Sequence, residues 1–213
     1  MPKVIDHEER KTAVADALFD VLREGGFDNV TLSSVATRAR LAIGSVRHFL
    51  GTREQMVSFA FDTMAERIHQ RVAVRAEAVL AGLESDTLDA DDRLMATADI
   101  LCEFLPLDAA RRDEAIVWIE FETAARTSEY LTETSRRAAA QTTRLIETIL
   151  TTATRRGTLA PSIDLTTETA RLSALIDGLT LRSALHPDIL DPDTARQAVI
   201  SHLRELGRPP QDQ

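Results

Sequence analysis

The sequence predicts an all-α protein of about nine helices. Three observations carry that expectation. Strand signals are scarce: aromatic residues make up only 4% of the 213 residues, and no stretch alternates apolar and polar residues between turns. Ala, Leu, Glu and Arg, which suit helices, dominate the chain. Most of the eight glycines and seven prolines fall at breaks between segments whose apolar residues recur at helical spacing.

A first helix is predicted from Asp6 to Glu24, with Val14, Ala17, Leu18, Val21 and Leu22 on one face. Gly25-Gly26 ends it, Phe27 anchors the turn, and Thr31 is a good N-cap for a second helix. Two very short helices come next, Leu32–Arg38 and Ile43–Leu50. Thr52 then caps a long helix from Arg53 to about Val79, with Gly82 and Glu84-Ser85-Asp86 at its end. Five more are expected over Asp89–Leu105, Asp108–Thr127, Ser128–Arg156, Asp164–Leu185 and Pro192–Leu206. Pro106, Ser128, Gly157 with Pro161, His186-Pro187 and Asp191-Pro192 separate them. The tail from Gly207 holds two prolines and is expected to fray.

Composition excludes several classes. One cysteine, Cys102, rules out a disulfide framework and a multi-cysteine zinc site. No metal and no cofactor are expected. No apolar run approaches 18 residues and the first eleven residues are rich in charge, so neither a membrane span nor a secretory signal is read; the expected setting is the cytoplasm. The net charge of −9 argues at first against a polyanionic partner, but the charge is uneven. From Asn29 to Arg53 there are four arginines and no carboxylate.

Those arginines coincide with an unusual object. Helices of seven or eight residues are not stable alone and need a third element to brace them; the amphipathic first helix is available. Val35 and Val46 can fill the angle between the two short helices, and Ala36 and Ala39 allow close approach. The second helix then presents Ile43, Gly44, Ser45, Arg47 and His48 outward, where a helix of a helix-turn-helix meets the DNA major groove. Arg47 can grip guanine or a phosphate, Ile43 can touch a thymine methyl, and Gly44 lets the backbone come close. Thr31 and Ser33 at one helix start, and Thr52 and Arg53 at another, are placed to hold phosphates.

Residues 13–62 resemble the DNA-binding domain of the TetR family of transcriptional regulators. The resemblance rests on Thr31-Leu32-x-x-Val35-Ala36-x-x-Ala39 and on Leu41-x-x-Gly44-Ser45-Val46-x-His48-Phe49-Leu50-x-Thr52-Arg53-Glu54. The run from Gly44 to Phe49 is similar to the subgroup with a BetI-type C-terminal domain. So are Glu120-Phe121-x-x-Ala124-Ala125-Arg126-Thr127, Arg155-Arg156-Gly157 and Leu175-Ile176-Asp177-Gly178-Leu179. The chain departs from the family pattern at Arg40, where a turn glycine is common, at Ala42, where a serine cap is usual, and at Arg47, where a tyrosine is usual.

The resemblance implies a helix-turn-helix domain over residues 6–52 and a ligand-binding and dimerisation domain over 53–207. It implies a regulator, most often a repressor, that binds a palindromic operator as a homodimer and is released by a small, largely apolar molecule. Ligand contacts would come from Cys102, Phe104, Trp118, Phe121, Glu122, Tyr130 and His186. A dimer face would be built from Leu172, Leu175, Ile176, Gly178, Leu179, Ala195, Val199 and Leu203, although the same stripes equally suit the core of a monomer. Read from the residues alone, the Glu120/Glu122 pair is solvated charge and Cys102 a buried packing residue. The competing classes are an all-α enzyme and a protein-interaction module using the helix-turn-helix as scaffold. No phosphate loop, metal-ligand pair or nucleophile elbow supports the enzyme.

Overall fold

The computed structural model describes residues 7–83 and 89–207. Nine α-helices and no strand occur among the described residues: α1 (His7–Gly25), α2 (Leu32–Ala39), α3 (Ile43–Leu50), α4 (Arg53–Leu83), α5 (Ala90–Leu101), α6 (Ala109–Ala125), α7 (Glu129–Arg155), α8 (Leu165–Leu185) and α9 (Pro192–Gly207). Asp6, the Glu84–Asp86 stretch and the tail from 208 lie outside the described residues.

Two boundaries differ from expectation by four residues. The fourth helix runs through Gly82 to Leu83; one glycine near a helix end is a tolerable cost of about 1 kcal/mol. The fifth stops at Leu101 and tightens into a 3₁₀ turn over Cys102–Phe104. Leu105 precedes Pro106, and the proline ring pushes it out of the helical region, to φ −91° and ψ 148°.

Side chains satisfy several helix starts. Thr31 and Ser34 form a reciprocal capping box on α2, and Asp89 and Asp92 another on α5. Asp164 accepts from the Thr166 and Thr167 amides ahead of α8, and Asp191 from the Thr194 amide ahead of α9. These bonds favour the ionised carboxylates, so Asp164 and Asp191 both titrate below the ordinary aspartate value, the first chiefly through the Thr167 hydroxyl and the second through the Thr194 amide.

By packing, the chain forms two compact units. One holds the residues up to Glu66 with Asp113–Ala138; the other holds Arg67–Arg112 with the residues from Ala139 on. This division by packing differs from the expected boundary at 52/53, because α4, α6 and α7 each run through both units.

In the first unit α1 packs on α2 and α2 on α3. Val14, Leu18 and Leu22 of α1 are buried with Val30, Val35, Val46 and Met56. Burying each such side chain is worth about 1.5–3 kcal/mol, which is how helices of eight residues persist. Deeper in this unit Phe61 and Phe121 stack, with ring centroids 3.6 Å apart. In the second unit α5 packs on α9 and α8 on α9, around a core that includes Leu94, Leu101, Ile146, Leu150, Leu172 and Val199.

Candidate nucleic-acid interface

The turn between α2 and α3 closes at Arg40, whose backbone is left-handed at φ 56° and ψ 41°. It is the one non-glycine residue with positive φ among those described. Its amide donates to the Ala36 and Thr37 carbonyls, a helix ending that glycine would make without steric cost. Two residues on, Ala42 occupies the N-cap of α3 without a side-chain hydrogen bond. The first amides of α3 therefore lack a side-chain acceptor of their own.

α3 has two sides. Val46 and Leu50 are buried against the bundle. Ile43, Gly44, Arg47 and His48 are exposed and Ser45 is half-exposed. A Cβ added at Gly44 would meet nothing within 4 Å. Ile43 is 47% exposed, a large apolar side chain held in water beside a glycine and an arginine. The expected reading face is thus assembled as one surface.

The flanking positions sort differently. Thr31 is exposed, but its hydroxyl is engaged with Ser34, accepting from the amide and donating to Oγ, each at 3.0 Å. Ser33 beside it is exposed. Thr52 is exposed; its Oγ1 accepts from the Gln55 amide at 3.3 Å, while its own amide donates to Gln55 Oε1 at 2.8 Å.

Arg53 is turned inward. Its Nη2 donates to the Phe27 carbonyl, and its Cζ lies 4.3 Å from the centroid of the Phe27 ring. The expected phosphate clamp is a brace between the start of α4 and the turn after α1, because the guanidinium finds a carbonyl and an aromatic face closer than solvent.

Of the four arginines in the carboxylate-free stretch from Asn29 to Arg53, Arg38 too is committed within the fold. It pairs with Glu24 and, at 3.3 Å, with Asp20, both on α1. The Arg38 guanidinium holds the Glu24 carboxyl below its usual value. Arg40 and Arg47 remain exposed, with no carboxylate partner among the described residues.

α6 reaches the same turn. Glu120 Oε2 accepts from the Phe27 amide at 3.2 Å, and lies 3.1 Å from where a Cβ on Gly26 would sit, at φ 66°. Arg23 of α1 pairs with Asp113 of α6 at 3.1 Å. Glu120, expected as solvated charge, is a half-buried acceptor. Glu122 is likewise engaged, with Ser135 Oγ donating to its carboxylate at 2.9 Å.

The expected ligand residues are divided between the two units. Trp118, Phe121, Glu122 and Tyr130 belong to one unit, Cys102, Phe104 and His186 to the other. Phe121 is consumed by its stack on Phe61, Cys102 is buried in the core, and Phe104 packs partly buried against it. Tyr130 and His186 are exposed, and Trp118 is half-buried. None of the seven lines the cleft of the second unit, about 590 Å³, whose walls are Arg67, Gln70, Arg71, Val74, Arg75, Ala78, Glu103 and Arg111. Sequence reading passed over these residues. The signal was present in Arg67, Arg71 and Arg75, spaced by four along one helix.

The expected dimer face is corrected as well. Leu172, Ile176, Leu179, Ala195, Val199 and Leu203 are buried inside the core of a single chain, so they cannot form the contact surface between two. Leu175 is half-buried, and only Gly178 is exposed. Periodicity found the apolar stripe but could not say which neighbour covers it.

Among the described residues no group of His, Cys, Asp and Glu is placed to hold a metal ion, and no helix is long and apolar enough to cross a membrane.

A braced three-helix head with an outward α3, joined to further helices and with no strand among the described residues, is a helix-turn-helix fold. Comparison makes this specific. The family described as the C-terminal domain of BetI-type transcriptional repressors matches residues 90–208. The chain is 28% identical over 209 residues to the HTH-type transcriptional regulator PksA of Bacillus subtilis (strain 168), covering 97% of this chain and 94% of that protein. A crystal structure of a transcriptional regulator from Rhodococcus sp. Rha1 superposes with a TM-score of 0.74 at 27% identity, covering 92% and 95% of the two chains. The fold is also that of a regulator from Saccharomonospora viridis solved in complex with choline, with a TM-score of 0.69 at 19% identity and coverage of 92% and 96%. The chain belongs to the TetR family of DNA-binding transcriptional regulators, in its BetI-type group. These are regulators, not enzymes.

Proposed function

We propose that the protein is a ligand-responsive repressor that binds a palindromic operator as a homodimer and leaves it when a small molecule binds. Residues 6–52 would carry the DNA contacts and residues 53–207 the ligand site and the dimer contacts. The observation that carries the reading is the two-sidedness of α3: Val46 and Leu50 anchor it while Ile43, Gly44, Arg47 and His48 face solvent together. Arg47 is the base-reading residue, Ile43 and Ser45 lie beside it, and Ser33, Arg40 and Thr52 are the positioning contacts.

One such helix reads only a few base pairs, so two copies are needed, with half-sites about 34–36 Å apart or a multiple of it. The surface that supports pairing is the outward face of α8: Ala174, Gly178, Leu181 and Leu185 fall on one side at helical spacing. Leu181 is 43% exposed and Leu185 48%. A Cβ added at Gly178 would meet nothing within 4 Å, so a second helix can approach closely there. A regulator of this fold carries choline, which supports a ligand site in this chain. Release then requires only that ligand prefer the state in which the two heads are wrongly spaced.

Selection of bound sequences from a random DNA library tests the reading directly. The expected result is a two-fold symmetric site. Affinity should fall steeply with salt, and Arg47→Ala should lose about tenfold or more with its folding intact. Weak, salt-insensitive binding that the substitution leaves unchanged would sink it.

A further inference from the structure

We propose that Glu120 is a positioning residue for DNA reading: it grips the loop that carries α2 and α3 at the point where that loop closes, and so sets the angle of α3. The proposal rests on α3 as the reading helix and adds to it a residue of α6.

The grip begins with an orphaned amide. Gly26 stands at φ 66° and ψ −176°, a backbone region that glycine alone visits without strain. Phe27 follows as the first residue of the 3₁₀ turn Phe27–Asn29, so its amide finds no acceptor within that turn. Glu120 Oε2 supplies one, at 3.2 Å. A Cβ on Gly26 would sit 3.1 Å from the same oxygen, so the glycine also leaves the carboxylate its room.

Phe27 is where the reading motif closes on itself. The chain runs from Phe27 through α2, the turn and α3 to Arg53, and Arg53 returns to cover the Phe27 ring and donate to its carbonyl. Whatever holds Phe27 therefore holds both ends of the motif. Glu120 is itself firmly seated. Its neighbour Phe121 is buried and stacks on Phe61, with ring centroids 3.6 Å apart. Phe61 lies on α4 about two turns beyond Arg53. Arg53, Phe27, Glu120, Phe121 and Phe61 thus form a ring of contacts that starts and ends on α4.

The other polar tie from α6 to the head is weaker. Asp113 and Arg23 have side chains 51% and 41% exposed, and Arg23 also serves Asp20 and Glu24. Exposed pairs of this kind contribute little, whereas Glu120 is half-buried and satisfies an amide. Its charge works against a polyanion while its oxygen supports the head. Charge and reach are therefore separable by substitution. Glutamine keeps an acceptor oxygen at the same reach and drops the charge; aspartate keeps the charge and withdraws it by one methylene.

Fluorescence anisotropy of the full chain tests this, on a duplex recovered by random-library selection and on one of scrambled sequence. Glu120→Ala should bind the selected duplex about tenfold or more weakly, a fraction of the ~10³-fold or larger margin between specific and non-specific binding. It should bind the scrambled duplex as tightly as the parent or more so. Glu120→Asp should weaken selected binding likewise, and guards against a folding failure in the alanine variant. Glu120→Gln should stay within about threefold of the parent. Ser135→Ala, which removes the donor from α7 to Glu122, should keep the parent's affinity. Without DNA, the Phe27 amide should exchange with solvent faster in Glu120→Ala than in the parent or in Glu120→Gln. Undiminished binding by the alanine or aspartate variant, equal losses in the glutamine variant or in Ser135→Ala, or equal losses on both duplexes would overturn the role. A parent that selects no duplex removes the DNA-reading function and this role with it. A parent that selects one, with Glu120→Ala binding it equally well, removes the role alone.

Discussion

The Arg53 guanidinium lies over the ring of Phe27, 4.3 Å from its centroid, and donates to the carbonyl of the same residue. One arginine thus joins the first turn of α4 to the 3₁₀ turn after α1, on the side of the head where Glu120 accepts the Phe27 amide at 3.2 Å. Phe27 is held from three directions, and the entry of α4 is set by packing within the protein.

Arg53→Ala is therefore expected to act on stability. Loss of a charge-assisted hydrogen bond and a cation–π contact should lower unfolding free energy by about 2 kcal/mol. Arg53→Lys should recover part of it, since an ammonium cannot both cover the ring and reach the carbonyl as a planar fork does. The slope of DNA affinity against salt should stay as in the parent. Chemical denaturation and a salt titration of binding check the two halves. An unchanged midpoint with a shallower salt slope would return Arg53 to the phosphate backbone.

Arg40 separates two roles in one residue. Its left-handed backbone, φ 56°, carries a strain of about 1 kcal/mol that glycine does not. Arg40→Gly should raise the melting temperature while reducing the magnitude of the salt slope by about one, the signature of a lost phosphate contact. A lowered melting temperature would mean that the side chain contributes more to the fold than its exposure suggests.

Sequence located the head well because its logic is local. Short helices, a turn between them and buried Val35 and Val46 follow from spacing and side-chain size alone. Even the strained Arg40 and the uncapped Ala42 were visible as departures from a pattern. What failed was partner choice. Arg38 and Arg53 fall in a stretch that holds no carboxylate, yet Glu24 and the Phe27 carbonyl capture them through tertiary structure. The α8 stripe failed for the same reason: Leu172 and Ile176 are apolar at the right spacing, and only the position of α9 decides that they face inward. The repeat of Arg67, Arg71 and Arg75 along α4 is local, but that Glu103 and Arg111 close on it from other elements is a proximity no local pattern contains.

The outward face of α8 gives a sharp test of pairing. Leu181→Glu with Leu185→Glu places charge on side chains that are 43% and 48% exposed in the single chain. Folding of one chain should survive, since surface changes are usually worth within about 0.5 kcal/mol. If this face joins two copies, sedimentation should show a monomer that is fully helical and binds its operator at least tenfold more weakly. A variant that sediments as its parent does would place the interface elsewhere.

Cys102 supplies a test of the second core that is independent of DNA. Its thiol is buried, and desolvation pushes its pKa up to about 11. At pH 8 the thiolate fraction is then about one in a thousand, and alkylation of the native chain should be slow while denaturant exposes the thiol at once. The folded value lies above that of an unfolded cysteine, near 8.5–9. In that window the native state holds the proton more tightly than the unfolded one. The associated stability is present in full at neutral pH and is lost as pH rises from about 9 toward 11. Cys102→Ala removes this linkage but leaves every other titration in place. The stability difference between parent and variant should therefore shrink between pH 7.5 and pH 10. A difference that stays constant would mean that the thiol is far better solvated than its place among Leu101, Leu105 and Val199 allows.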